Sequence, residues 1–419
     1  MIGASARREP KEAAPDIDVP LVPDFGVALS DYPEDLMSAG WACLFGKSPF
    51  RYTSVGDLPN NAIWVTSYKH DYKKEGRIKH RHHLRRVDYL RANLFQIAKD
   101  FGWSIDGGDA AVNIEKLARL FHQTMHLALN CYKWRDPMNA LQNASLYADI
   151  RNVLKPPKPD DALVPYLTSA CQSYSSPAWP YSARTDQVFV TLRFNRLEYA
   201  RKLLSQPLPS GSWSHRTCQG GERIEDFFDP ARPCLIECTL EFLDTDPDLV
   251  ILSAFGAEPH QRGLRRWITQ VEAYWMSKIA RITPTTVIEC SGARPMGHAY
   301  ALPAALTVDP LFSLSGAAGV LAESHLYAIW ASTWHPGLQM TAVSVEGVWL
   351  RAMDRAICFS AAEQLMRAGH RVTGYGNGSI SVSVARSSLV EFAQLADELQ
   401  MMFPNFSVLL RENGYDPLF

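Results

Sequence analysis

One short segment carries the highest density of cationic side chains in the chain. From Lys69 to Arg86, eight lysines and arginines and four histidines face only Asp71 and Glu75. Lysine and arginine bind phosphate oxygens without reading base sequence, and the interleaved Tyr68 and Tyr72 suit stacking on single strands. We therefore predict a nucleic-acid-binding segment whose contacts are Lys73, Lys74, Lys79, Arg81, Arg85 and Arg86. The alternative is a solvated loop, the usual fate of a charge run.

A second basic stretch, Arg262–Ile282, is predicted as an amphipathic helix. Its arginine and lysine rows could touch a phosphate backbone or simply face solvent, and the sequence does not decide between the two.

Metal chemistry has weaker support. The histidines at 80, 82 and 83 are too closely spaced for a good chelate, and the acidic turn 244–248 lacks the glycine and distal glutamate of a calcium loop. The eight cysteines form no CxxC pair and are interpreted as buried free thiols. We predict no metal site and no cofactor.

The elements that would position a site are clearest between Leu338 and Leu410. Leu338–Val345 is predicted as a strand and Glu346–Ala368 as a helix, because apolar residues recur in it at three-and-four spacing. Gly369 is expected to end the helix at the C′ position.

A hairpin is predicted next. Arg371–Tyr375 and Ser379–Val384 are joined by Gly376-Asn377-Gly378, residues that tolerate positive φ. In the second strand three apolar residues alternate with serines, so one face is expected to be buried and the other exposed: Ile380, Val382 and Val384 against Ser379, Ser381 and Ser383.

A capping box over Ser388–Glu391 predicts a second helix, and Phe406–Leu410 a last strand. Strand, helix, hairpin, helix and strand make the split βαβ pattern. The predicted fold class is α+β, with a ferredoxin-like C-terminal domain and a largely helical N-terminal region.

The run Gly347–Val384 resembles the palm of family B DNA polymerases, especially the protein-primed branch. Ala352 and Arg355 match an Ala-x-x-Arg helix pattern, and Tyr375, Ser379 and Ile380 match the frame of the following Tyr-x-Asp-Thr-Asp-Ser-Ile hairpin motif. The resemblance implies a palm domain that binds nucleic acid.

The catalytic residues of that motif are missing. Polymerase palms hold two divalent ions with carboxylates, and this chain has Gly376, Asn377 and Gly378 at those positions. The resemblance therefore implies a degenerate motif, Tyr375 to Gly378, that should not assemble a two-metal site. Glu237 is a loose counterpart of the first palm aspartate, and whether Glu237 or Glu346 binds a metal is left open.

A Tyr-x-x-x-Asp pair, Tyr132 and Asp136, has the spacing of the exonuclease that precedes such palms. No convincing Asp-x-Glu strand comes before it, so both residues are interpreted as structural.

The composition is that of an ordinary globular protein, with 47% hydrophobic residues, 21% charged residues and a formal charge of −2. The expected organisation is a flexible arm over 1–24, a mainly helical domain over 25–155, a Pro/Ser-rich linker over 156–186 and the palm-like domain over 187–419. The chain starts without an apolar leader and has no apolar run of membrane-spanning length, which predicts a cytoplasmic protein without membrane contact.

The resemblance implies a polymerase-related, catalytically inactive protein of a mobile element or virus that binds nucleic acid or a replication partner. Two alternatives stay open. One is a structural or assembly protein that uses the sheet for contacts with a protein partner or a second copy. The other is an active nucleotidyltransferase or exonuclease with a divergent site.

Overall fold

The structure is a computed structural model. It describes residues 24–67 apart from 33, 34 and 36, then 84–85, 110–132, 154, 156–171, 186–243, 264–295, 301–302, six positions between 319 and 329, and 343–403. Across these ranges the fold is α+β, with several small sheets and six α-helices.

The first sheet has five strands in the order β3-β2-β1-β4-β5. They are β1 Asp24–Ser30, β2 Gly40–Leu44, β3 Phe50–Tyr52, β4 Ala62–Thr66 and β5 Leu84–Arg85. Strands β1 and β2 are antiparallel, whereas β1 and β4 are parallel, as are β4 and β5. Helix α1, Ala110–Tyr132, packs on this sheet, where the rings of Phe25 and Phe121 meet edge to face at 5.5 Å.

The prediction of a largely helical N-terminal region is therefore wrong for the residues described there. All five residues of β4 and six of the seven in β1 are buried. A strand covered on both faces has no polar–apolar alternation, so the period that identifies a strand is absent. Helix α1 is the α-helix that the structure describes in this region.

The segment after residue 156 contains helix α2, Val164–Cys171, whose Leu167, Ala170 and Cys171 are fully buried. Strand β6, Gln187–Phe194, and helix α3, Arg196–Leu204, follow. The side chain of Asn195 caps α3 by accepting hydrogen bonds from the N–H groups of Leu197 and Glu198.

The second sheet has the order β10-β9-β11-β8, and a separate pair joins β12 to β7. The strands are β7 Pro207–Pro209, β8 Trp213–Thr217, β9 Cys234–Phe242, β10 Leu264–Thr269, β11 Ala280–Cys290 and β12 Ala293–Pro295. The predicted helix over 262–282 is wrong, because only Gln270–Met276 is helical (α4). The capping box between Thr269 and Glu272 starts a helix inside the run that the sequence prediction treated as one element.

The third sheet contains the predicted hairpin. Helix α5 is Val345–Arg367, the hairpin strands are β13 Arg371–Gly376 and β14 Ser379–Ala385, and helix α6 Leu389–Glu398 leads to β15 Met401–Met402. The order is β13-β14-β6-β15, with every neighbouring pair antiparallel. The strand beside the hairpin is thus β6, from far earlier in the chain.

Three details of the predicted C-terminal elements need correction. Residues 338–342 and 406–410 lie outside the described ranges, and Ser344 caps α5 where the end of a strand was expected. The side chain of Ser388 makes no capping hydrogen bond, since a 3₁₀ turn at Arg386–Ser388 precedes α6. Ser383 is buried, where it donates to Gln187, so the serine face is not wholly exposed.

Other local predictions are confirmed. Gly369 ends α5 with φ +87°, and Asn377 (φ +55°) and Gly378 (φ +66°) form a two-residue hairpin turn. Ile380, Val382 and Val384 are fully buried. Among the described residues no helix is both long and apolar enough to cross a bilayer.

Candidate functional site at the hairpin turn

The turn is held from below by a carboxylate. Asp354 of α5 accepts hydrogen bonds from the main-chain N–H groups of Asn377 (2.8 Å) and Gly378 (2.9 Å). It also accepts one from the hydroxyl of Tyr199, which lies on α3. Asp354 is only 5% exposed, so both of its oxygens are used inside the fold.

The aromatic ring above Asp354 fits the turn closely. Tyr199 stacks on Phe194 with ring centroids 5.1 Å apart and planes 5° from parallel. A Cβ added at Gly378 would lie 2.9 Å from the Tyr199 ring. Burial, followed by the nearby charge of Asp354, raises the pKa of the Tyr199 phenol well above its usual value. The phenol therefore stays protonated at neutral pH and donates a hydrogen bond to Asp354.

Tyr375, the first residue of the predicted motif, points into the core. It lies on β13 and is buried, and its hydroxyl has no hydrogen-bond partner among the described residues. Burial raises the pKa of this phenol. Tyr375 therefore serves packing, with its ring edge-on to Phe359 at 6.0 Å.

An arginine lies beside the turn. In the pairing of β14 with β6, Ser379 faces Arg193 directly, and Arg193 lines a pocket together with Asn377 and Gly378. A cation at this position repels divalent ions, and Asn377 offers only a neutral amide. These residues do not fit the two-metal centre of a polymerase palm.

Glu237 is in a different sheet from the hairpin. On β9 its carboxylate pairs with Arg265 at 2.8 Å and accepts hydrogen bonds from Thr285 and Thr286. The hydrogen bond from Arg265 and, less strongly, that from Thr286 lower its pKa despite partial burial. Its oxygens are thus already engaged within the second sheet.

Glu346 lies in the first turn of α5. Burial raises the pKa of its carboxyl, and its position eight residues before Asp354 places it about 12 Å further along the helix axis. Across the described residues no group of three or more His, Cys, Asp or Glu side chains is arranged to hold a metal ion.

A shallow pocket opens beside the turn. It is lined by Arg193, Phe194, Arg196, Tyr199, Glu323, Leu326, Asn377 and Gly378. Arg196 and Glu323 form an ion pair at 3.3 Å, and both side chains are about 15% exposed. For Arg193, no carboxylate of the described residues lies within ion-pair distance.

Most of the predicted basic contacts fall outside the described residues: Lys73, Lys74, Lys79, Arg81 and Arg86. Arg85 is described as part of β5, where it pairs with Val65 of β4. The role of these side chains therefore stays a prediction. Of the exonuclease-like pair, Tyr132 ends α1 and Asp136 is outside the described ranges.

The end of the parallel strands β1 and β4 carries hydroxyl groups. The hydroxyls of Ser30 and Tyr52 lie 2.9 Å apart, and Ser67 accepts a hydrogen bond from the N–H of Ser30 at 2.8 Å. Thr66 is buried, and its hydroxyl has no partner among the described residues. Neutral hydroxyls at this edge are poor ligands for divalent ions.

Sequence reasoning missed Asp354 and Arg193. Asp354 does have a sequence signal, since it is a charged residue in a helix whose apolar residues lie on every face. Such a carboxylate is expected to be buried and to need hydrogen-bond donors. The main-chain N–H groups of a two-residue turn can supply them. Arg193 had no comparable signal, since its relation to the hairpin depends on pairing between distant strands.

No protein-family model matches the chain, and no curated protein matches it. Among solved structures it is similar to Phi29 DNA polymerase. The orthorhombic crystal form gives a TM-score of 0.44 at 12% identity, and the complex with single-stranded DNA gives 0.41 at 12%. In both cases the match covers 86% of this chain and 80% of the other. TM-scores this low assign neither a family nor a function to the chain.

Proposed function

We propose that this chain is a polymerase-related protein that binds nucleic acid and does not transfer nucleotides at its hairpin. The observation that carries the proposal is the chemistry of the residues around the turn. The carboxylate that contacts the turn, Asp354, is buried and hydrogen-bonded to it. Across the sheet, Ser379 at the end of the turn pairs with the cationic residue Arg193.

The strand order supports a palm-like C-terminal unit. The sheet order is β13-β14-β6-β15. If the four strands are numbered one to four along the chain, starting with β6, this order is two, three, one, four. Helices precede β13 and β15, as in the ferredoxin-like plan of strand, helix, two strands, helix and strand. We propose that residues 187–419 form this unit and that 25–155 form a separate one around the five-stranded sheet.

The anchoring of the basic segment supports nucleic-acid binding. Ser67 follows β4 directly, and Leu84 opens β5, which pairs with β4 at Trp64. Neighbouring strands are about 5 Å apart and rise about 3.3 Å per residue, so the two ends of the segment lie within roughly 12 Å of each other. We propose that the nucleic-acid contacts lie in this segment, whose eight lysines and arginines favour a phosphate backbone.

The first test is primer extension. Purified protein with a primed template, nucleotides and Mg²⁺ or Mn²⁺ is expected to show no incorporation. Metal-dependent extension that is abolished by Glu237→Ala would show a divergent active site and overturn the catalytic half of the proposal.

The second test is binding of single-stranded DNA at several salt concentrations. We expect binding that weakens steeply with salt, since cations on phosphates release counterions. Charge reversal of Lys73, Lys74, Arg81 and Arg85 to Glu should abolish it.

The matched control reverses four exposed cations elsewhere, Lys47, Lys202, Lys278 and Arg281, and changes the net charge equally. Binding that is absent at low salt, or lost equally in both variants, would count against a nucleic-acid role and favour an assembly protein.

A further inference from the structure

We propose that the pocket beside the hairpin turn is a phosphate-binding site centred on Arg193. It takes the phosphate of a nucleotide or of a nucleic-acid strand. This inference deepens the proposed function, because it names the ligand chemistry of the hairpin region, but it depends on residues other than the basic segment.

The charge of Arg193 favours an anion in the pocket. Arg193 is half-buried in the pocket wall, and among the described residues no carboxylate lies close enough to pair with it. A guanidinium partly removed from water gains most from an anion that can accept two parallel N–H groups. Phosphate meets that requirement.

The other two charged side chains that line the pocket, Arg196 and Glu323, balance each other. Arg196 is paired with Glu323 at 3.3 Å, so these two contribute little net charge to the pocket. Asp354, the carboxylate that contacts the turn, is buried and already accepts hydrogen bonds from Tyr199, Asn377 and Gly378. Among the described residues that line the pocket, Arg193 is therefore the cation without a paired carboxylate.

The other residues of the pocket wall supply an amide group and apolar surface. The exposed Asn377, held at positive φ by the turn, presents an amide that can donate to an anion or to a base edge. The half-buried ring of Phe194 and the side chain of Leu326 give the pocket an apolar side. Cation, amide and aromatic surface together suit a phosphate attached to a nucleoside more than a small inorganic ion.

The ring under the turn keeps this arrangement rigid. Tyr199 lies between Phe194 and Gly378 and is fixed by its hydrogen bond to Asp354. The backbone that carries Asn377 is therefore positioned before any ligand arrives, which reduces the entropy lost on binding.

The experiment compares wild type with Arg193→Gln, using three probes without metal: inorganic phosphate, dATP, and a single-stranded oligonucleotide with or without a 5′-phosphate. Calorimetry measures binding of the first two and fluorescence anisotropy the third. We expect Arg193→Gln to lower the affinity for the phosphate-bearing probe that binds in the pocket by about tenfold. If the phosphate is part of a strand, the salt slope should also fall by about one.

Arg201→Gln is the matched control, because Arg201 is exposed on α3 and pairs with Glu198 outside the pocket. It should leave every affinity unchanged. The probe that responds identifies the source: dATP for a free nucleotide, the 5′-phosphorylated strand for a strand end, and both strands equally for the backbone.

Equal affinities of wild type and Arg193→Gln for all probes, with unchanged melting temperature, would overturn the phosphate site. That result differs from failure of the proposed function, in which wild type binds no oligonucleotide at all. Phosphate or dATP binding that depends on Arg193 would support the pocket even then.

Discussion

Asp354 and Gly378 are 24 residues apart in sequence, yet the carboxylate of one accepts the main-chain N–H of the other at 2.9 Å. Together with the bond from Asn377, this contact ties the hairpin turn to the middle of α5. The turn is thus fastened to the core by a buried carboxylate.

The first prediction is that Asp354→Ala destabilises the protein by about 3 kcal/mol or more. Hydrogen bonds to a charged group are worth about 1.5–3 kcal/mol each, and the variant also leaves two turn N–H groups unpaired. Chemical denaturation measures the change. Asp397→Ala, at an exposed site on α6, should stay within about 0.5 kcal/mol; similar values for both variants would show that the turn does not depend on Asp354.

The second prediction concerns Gly378→Ala. A side chain at φ +66° is strained by about 1–2 kcal/mol, and the new methyl would also press on the Tyr199 ring at 2.9 Å. Gly46→Ala is the control, since Gly46 has φ +71° and open space around it. We expect Gly378→Ala to cost at least about 1 kcal/mol more than Gly46→Ala. Equal losses in urea denaturation would mean that the ring yields freely.

The third prediction uses the burial of α5 and the hairpin. Leu365 and Val382 are fully buried, so truncation to Ala should cost about 2–4 kcal/mol at either site. Ile357 and Ser381 are half-buried; Ile357→Ala should cost clearly less than Leu365→Ala, and Ser381→Ala less than about 1 kcal/mol. Melting temperatures would give the order, and a larger loss at Ser381 than at Val382 would show the wrong strand register.

The fourth prediction is a pH dependence from Glu237. Its hydrogen bonds, that from Arg265 foremost, lower its folded pKa below the usual carboxyl value. The resulting stability is present above about pH 4.5 and is lost as the pH falls through the folded pKa, because protonation then favours the unfolded chain. Glu237→Gln should melt lower than wild type at pH 7 but close to it at about pH 3. A difference that does not change with pH would assign the effect to packing.

The sequence was sufficient for elements set by local interactions. The helix before Gly369 and the hairpin across Asn377-Gly378 depend on neighbours within a few residues, and both lie close to the predicted bounds. Pairing of β14 with β6 could not be predicted in this way. The alternation of apolar and polar residues in a strand shows which face is buried, but it does not show which strand lies beside it.

The missing pieces of the candidate site have the same origin. Arg193 reaches the turn only through that pairing. Asp354 is not apparent from spacing alone, because the three-and-four spacing of apolar residues in α5 predicts that the charged residues between them face solvent. In the structure α5 is buried on nearly all sides, including Leu350, Asp354, Arg355 and Phe359. Arg355 is accommodated by an ion pair with the fully buried Glu272 at 3.2 Å, a partner that no spacing rule would find.

The central place of β6 has a consequence for how the chain is made. Thr191 and Ser381 are neighbours across 190 sequence positions, so β6 leaves the ribosome long before β14 and β15 exist. Until then both edges of β6 lack their partners, and an open edge is a template for other chains. A chain truncated before β14 should therefore aggregate. Conversely, a full-length chain that is cut once between α4 and α5 should stay together. The N-terminal fragment supplies β6, an inner strand of the sheet whose other strands belong to the C-terminal fragment.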